Sequence, residues 1–346
     1  MEDVTTPAPS ERGWGKLLLA LAAFLLIPPY TPLRALLPVE DTLLLLMPAL
    51  AACCLVGWWA GGRLLLAVTW VGLSVWMLMQ PASGGAFYDL VRGWSLLLAG
   101  SFGLICLFGT RRPFFSRALS AVSLALTLVL LMSSRGPLTA SRARLAVQAE
   151  FARRNTETLA IFRSALQQHP EVVKSMPQVA SLPNEVETQL HTMAETGAGL
   201  FPSLLLLESL VALALAWGTY HRISRTRLGS PLGSLKDFRF NDQFVWGLIA
   251  GVTIVVVPAL EFLDATGRNL LVFFGALYAI RGFGVLSWFL KPGALAAALL
   301  VGFAMLWWPV LNAVAVLGFM LLALAAFGLG LGDTWADWRS RARPTT

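Results

Sequence analysis

The sequence predicts an all-α, polytopic helical membrane protein of nine or ten transmembrane helices, with a polar, partly helical insertion after the fifth span. Three observations predict it. Hydrophobic residues make up 57% of the 346-residue chain and charged residues only 13%, where a soluble domain carries about a quarter; the mean hydropathy is +0.69. The apolar residues arrive in runs of 15 to 22, close to the roughly 20 helical residues that cross a hydrocarbon core of about 30 Å, and the alternation of a membrane barrel is absent. Finally, Trp14, Trp58, Trp59, Trp94, Trp335 and Trp338 stand at run ends, where indoles favour the membrane interface.

Taken in order, residues 1–15 form a polar tail expected to be disordered, and 16–133 form a five-helix membrane region. Its spans lie near 16–36, 42–60, 63–80, 93–109 and 114–133. The first is read as a retained span, since no clear small-residue cleavage site follows it. Pro28, Pro29, Pro32 and Pro38 interrupt it, because each removes a backbone donor and crowds the preceding turn.

Residues 134–199 are the one sizeable polar segment. Phe151, Leu159, Phe162 and Leu166 recur at helical offsets, so 141–168 reads as an amphipathic helix. Pro170, Pro177 and Pro183 then break the chain. A second helix is expected from Asn184, with Glu187 three positions on as in a capping box and Val186, Leu190 and Met193 as its stripe. Gly197 and Gly199 lead into the next span, with Pro202 in its first turn. The C-terminal membrane region, 200–331, has spans near 200–220, 243–260 and 269–290. Its last stretch, 293–331, is interrupted by Trp307-Trp308-Pro309 and makes two crossings or one long, bent helix. Residues 332–346 form a basic tail.

Orientation follows from the short loops. Arg111, Arg112 and Arg117 fall between the fourth and fifth spans, and Arg222, Arg225, Arg227, Lys236 and Arg239 between the sixth and seventh. Both loops are expected in the cytoplasm, with the N-terminus, while 134–199 is extracytoplasmic and caps the bundle, gates it or docks a partner. Arg339, Arg341 and Arg343 draw the tail to the cytoplasm, which favours ten crossings. An anionic inner leaflet accounts for the net charge of +7 without nucleic acid.

Charges within apolar runs are the sharpest local signal. Arg281 is twelfth in the run 270–290, about 16 Å down, and Glu208 lies about 10 Å from the same face. The two are the candidate buried pair. With Tyr278 and Trp288 as nearby aromatic surface they form a candidate substrate-binding set, and Gly282 and Gly284 permit close backbone approach. Asn312 is expected to make an interhelical hydrogen bond. Glu40, Asp41, Asp89, Arg92, Glu261, Asp264 and Arg268 draw an outer ring. No phosphate loop, HExxH, CxxC or GxSxG occurs, so no catalytic residue, cofactor or metal is assigned and an enzyme is disfavoured. Cys53, Cys54 and Cys106 lie inside apolar runs, and His169, His191 and His221 are scattered.

The segment FPSLLLLESLVALALAWGTYHRISRTRLG, following five spans and a polar segment, and the later ALYAIRGFGVLSWFLK ending at Lys291 resemble the bacterial membrane-protein family of domain of unknown function 2232 (DUF2232). That family is similar to substrate-binding membrane components of energy-coupling-factor transporters. The resemblance implies a bacterial inner-membrane location and uptake of a small molecule or vitamin, with a separate transmembrane coupling protein and ATPases as partners. The alternative is a non-enzymatic scaffold or assembly factor that docks membrane proteins through 141–168.

Overall fold

The computed structural model describes residues 14–30, 42–81, 85–108, 112–135, 140–168, 182–290, 293–305 and 309–338. Outside these lie the prolines at 32, 38, 170 and 177, Glu40, Asp41, Arg111, His169, Lys291, Trp307, Trp308 and the tail arginines. The side chains of Phe162, Leu166, Val186, Leu190, Met193 and Asn312 are outside them too. The chain divides into an N-terminal unit, Met1–Leu232, and a C-terminal unit, Gly233–Thr346.

The N-terminal unit contains α1 (Gly15–Tyr30), α2 (Leu43–Trp59), α3 (Leu64–Leu78), α4 (Gly85–Phe108), α5 (Phe114–Arg135), α6 (Ala140–Gln168) and α7 (Leu182–Ile223). The C-terminal unit contains α8 (Val245–Val256), α9 (Asp264–Phe289), α10 (Ala294–Met305) and α11 (Pro309–Ala336), with short 3-10 turns before α8 and α9. The described elements are all helical.

Among the described residues five helices, rather than nine or ten, are long and apolar enough to cross a membrane: Gly85–Phe108, Phe114–Ser134, Ala194–Ile223, Pro258–Phe289 and Val314–Ala336. The runs near 16–36, 42–60, 63–80 and 243–260 are apolar, but the helices described in them are 12–17 residues long. At 1.5 Å per residue that is about 18–26 Å, short of the hydrocarbon thickness. In α2 the apolar character serves a second purpose, since most of its residues, Leu45, Cys53 and Cys54 among them, are buried inside the protein. The last apolar stretch is two helices, and only the second qualifies as a span.

In the N-terminal unit α2 packs on α3, α4 and α7, and α4 and α7, which run parallel, meet through their side chains. Phe87 meets Phe201, Trp94 donates its indole N–H to Ser209 Oγ (2.9 Å), and Phe102 meets Trp217. The pairs advance together along both helices, so the register is constant. α6 runs antiparallel beside the N-terminal half of α7, with Arg163 bonded to Glu187 at 3.0 Å and Arg154 close to the same Phe87 ring that Phe201 touches.

α7 itself departs from expectation. It begins at Leu182 and continues without a break to Ile223, so Pro202 sits deep within it rather than in a first turn. At 42 residues it is about 63 Å long, twice a bilayer core. The insertion's second helix and the following span are therefore one helix.

In the C-terminal unit α9 packs on α8 and α11. Glycine makes the α9–α11 approach close. A Cβ on Gly282 would overlap the Ala326 carbonyl, and one on Gly330 would overlap the Tyr278 carbonyl.

Candidate functional site

Two buried charged constellations stand out, one in each unit. In the C-terminal unit Arg281 is almost fully covered, and the partner is not Glu208. Its Nε donates to Asp333 Oδ2 at 3.0 Å, its Nη1 to Asp242 Oδ1 at 2.6 Å and its Nη2 to the Asp333 carbonyl at 3.2 Å. The guanidinium also lies over the Phe240 ring, 5.5 Å from its centroid. Asp333 is fully buried, whereas the Asp242 side chain is 60% exposed.

The reason for the departure is positional. Asp333 is three residues before the end of α11, and Asp242 lies in the turn before α8. Arg281 therefore joins the C-terminal end of one helix to the loop leading into another, and a cation at a helix C-terminus also meets the negative end of its dipole. Each of its three guanidinium nitrogens donates one hydrogen bond. Tyr278 is fully buried and touches Phe240 edge-on (5.1 Å between centroids). Trp288 is half-buried and packs against Phe289. Of the four candidate residues, Arg281 and Tyr278 share the Phe240 ring; Glu208 belongs to the other unit.

The second constellation surrounds Glu208 on α7. Its carboxylate is buried, and neither oxygen has a hydrogen-bond partner among the described residues. The charge acting on it is Arg154 of α6. Arg154 is itself buried, bonded through Nε to Glu150 Oε1 at 3.0 Å, with Phe87 and Phe151 at 5.4 and 5.6 Å from its guanidinium. Glu150 binds Arg153 as well, at 2.7 Å. Burial opposes ionisation of Glu150, but the two arginines outweigh it and hold its carboxyl below the usual carboxylate range.

Arg154, Glu150, Asp242 and Asp333 are not among the residues expected from the sequence. A signal existed for the first two: Glu150 and Arg154 are spaced with Val147 and Phe151 on one helical face, all four buried. Charges on an apolar stripe are out of place unless the surface they meet is polar. Asp333 gave no such signal, because it adjoins a charged tail.

Among the expected outer ring, Arg268 pairs with Asp264 one turn away (2.8 Å), and Arg92 bonds the Gln80 carbonyl. Among the described residues no group of His, Cys, Asp or Glu is arranged to hold a metal ion.

Comparison with known proteins finds no match among curated proteins and none among solved structures. A family model described as "Predicted membrane protein (DUF2232)" matches residues 68–320, most of the chain from α3 to within α11. The protein is thus an all-helical membrane protein that belongs to the DUF2232 family.

Proposed function

We propose that the protein is a substrate-binding membrane component of small-molecule uptake, with its solute site at Glu208 in the N-terminal unit. One observation carries the reading: a carboxylate within an apolar helix, buried and without a hydrogen-bond partner among the described residues. Such a group costs several kcal/mol if left ionised and bare, and ionisable residues inside membrane segments belong to substrate or ion paths more often than to packing. The adjoining α6 belongs to the polar insertion and covers the position where a solute would arrive. Glu208 would accept hydrogen bonds from the donor groups of a polar solute.

The resemblance adds the finer reading of vitamin-type uptake energised by a separate membrane coupling protein and ATPases, in a bacterial inner membrane with the insertion outside. The test is purification from native membranes in mild detergent, with mass spectrometry of the co-purifying proteins and small molecules. A bound solute that is lost in Glu208→Gln, with ATPase subunits present, supports the proposal. A preparation free of solute, whose partners are retained by Glu208→Gln and lost when α6 is altered, refutes it in favour of a scaffold.

A further inference from the structure

At the opposite end of α7 from the insertion, the N-terminal unit gathers basic residues from three separate stretches of chain. The segment 224–230 folds back over the end of α7 and is pinned there by three side chains. Tyr220 donates to the Thr226 carbonyl (2.7 Å), Arg117 to that of Leu228 (2.5 Å) and Trp217 to that of Ser230 (3.2 Å). Gly229, at φ +128°, lets the backbone lie against the Arg117 guanidinium, where any Cβ would overlap it. Leu228 is buried by this fold, and Arg225 and Arg227 on either side of Thr226 are left exposed.

The neighbours add charge of the same sign. A Cβ on Gly62 would meet Thr226 Oγ1 at 3.3 Å, which brings Arg63 to this end. Arg112 precedes α5 by two residues, beside Phe114, whose ring lies 5.8 Å from Trp217. Inside the ring of arginines sits His221. It is 6% exposed, its ring tilted against Trp217 with 4.7 Å between centroids, and neither ring nitrogen has a hydrogen-bond partner among the described residues. The charges acting on it are Arg227, Arg117 and Arg222. The described acidic side chains of this unit are elsewhere: Asp89 starts α4, Glu150 and Glu157 are on α6, and Glu208, the last on α7, is about 20 Å of helix away.

We infer that this end of the N-terminal unit is a binding site for a phosphate group, and that the phosphate is the headgroup of an anionic membrane lipid. The chemistry is that of a phosphate site: guanidinium donors on a pinned loop and an imidazole whose nitrogens are unmet. The lipid source is favoured by what surrounds it. Trp58, Trp59, Trp14 and Phe108 are exposed at the ends of helices that finish or start here, and exposed aromatic rings beside basic residues mark the headgroup layer. The phosphate oxygens would enter between Arg222 and Arg227 to reach His221.

The test is a lipid titration of the purified full chain by native mass spectrometry, comparing phosphatidylglycerol with phosphatidylcholine of the same acyl chains. The chain is expected to retain phosphatidylglycerol preferentially. The double variant Arg225→Gln/Arg227→Gln should weaken that preference about 30-fold, taking two basic residues at the membrane surface together. Both side chains are exposed, so folding is spared, and Arg163→Gln on α6 should leave the preference unchanged. His221→Phe should weaken it too, without changing the weak retention of phosphatidylcholine. Equal retention of the two lipids, or a double variant that binds as the wild type does, overturns the inference. Displacement of the lipid by millimolar inorganic phosphate overturns the lipid assignment and gives the site to soluble phosphate esters.

Discussion

Replacing Arg281 with leucine separates a packing role from a binding role. The guanidinium neutralises Asp333, whose side chain is fully buried, and Asp242, whose side chain is mostly in solvent. Removing the arginine strands Asp333 as an uncompensated buried charge, which costs about 3–5 kcal/mol. The exposed bond to Asp242 is worth at most about 1 kcal/mol. Arg281→Leu is therefore expected to destabilise the protein strongly, Asp242→Asn only slightly, and the double variant Arg281→Leu/Asp333→Leu less than Arg281→Leu alone. Thermal unfolding of the purified proteins in one detergent, followed by monomer recovery on gel filtration, reads all three. An Arg281→Leu protein as stable as wild type would refute the reasoning, and so would a double variant no better than the single.

The α9–α11 contact and the α6 charge cluster give two further predictions. Gly282→Ala sets a methyl group against the Ala326 backbone, which has no side chain to yield. It should cost about 3 kcal/mol, the upper part of the range for overpacking, in the same thermal assay. Gly275→Ala on the same helix has open space and should be neutral or slightly stabilising; equal effects would refute the close approach. Glu150 has its carboxyl held below the usual range, so its contribution is present above the unfolded-state pKa. It is lost as the pH falls through the folded one, below about pH 4. Acid titration of stability should show a limb there that Glu150→Gln flattens, and an identical limb in the variant would disprove it.

How far the sequence revealed this arrangement depends on what each residue needed. Helical class, membrane character and the amphipathic 141–168 helix rest on local periodicity and composition, and α6 spans Ala140–Gln168. The number of crossings does not rest on local pattern, because hydropathy cannot distinguish an apolar helix in lipid from one in a protein core. α2 is the second kind in part: it is strongly apolar, 17 residues long and mostly buried. Arg281 was visible as a charge in an apolar run, but its partner was set by tertiary packing 52 residues away. Depth from one face of the bilayer carries no information about which helices are neighbours. Glu208 stood out for the same reason as Arg281, while Arg154 required reading a polar residue on the apolar side of an amphipathic helix.

The continuity of α7 has a mechanical consequence. A single helix of 42 residues carries Glu187 near its start, Glu208 beyond its middle and Arg222 at its end. It acts as a strut, which transmits tilt and rotation along its length instead of absorbing them in a loop. At Pro202 the ladder of backbone bonds lacks a rung, six residues before Glu208. A push on the first half of the strut will bend there or nowhere, so the solute position and the basic end should move together as one rigid arm.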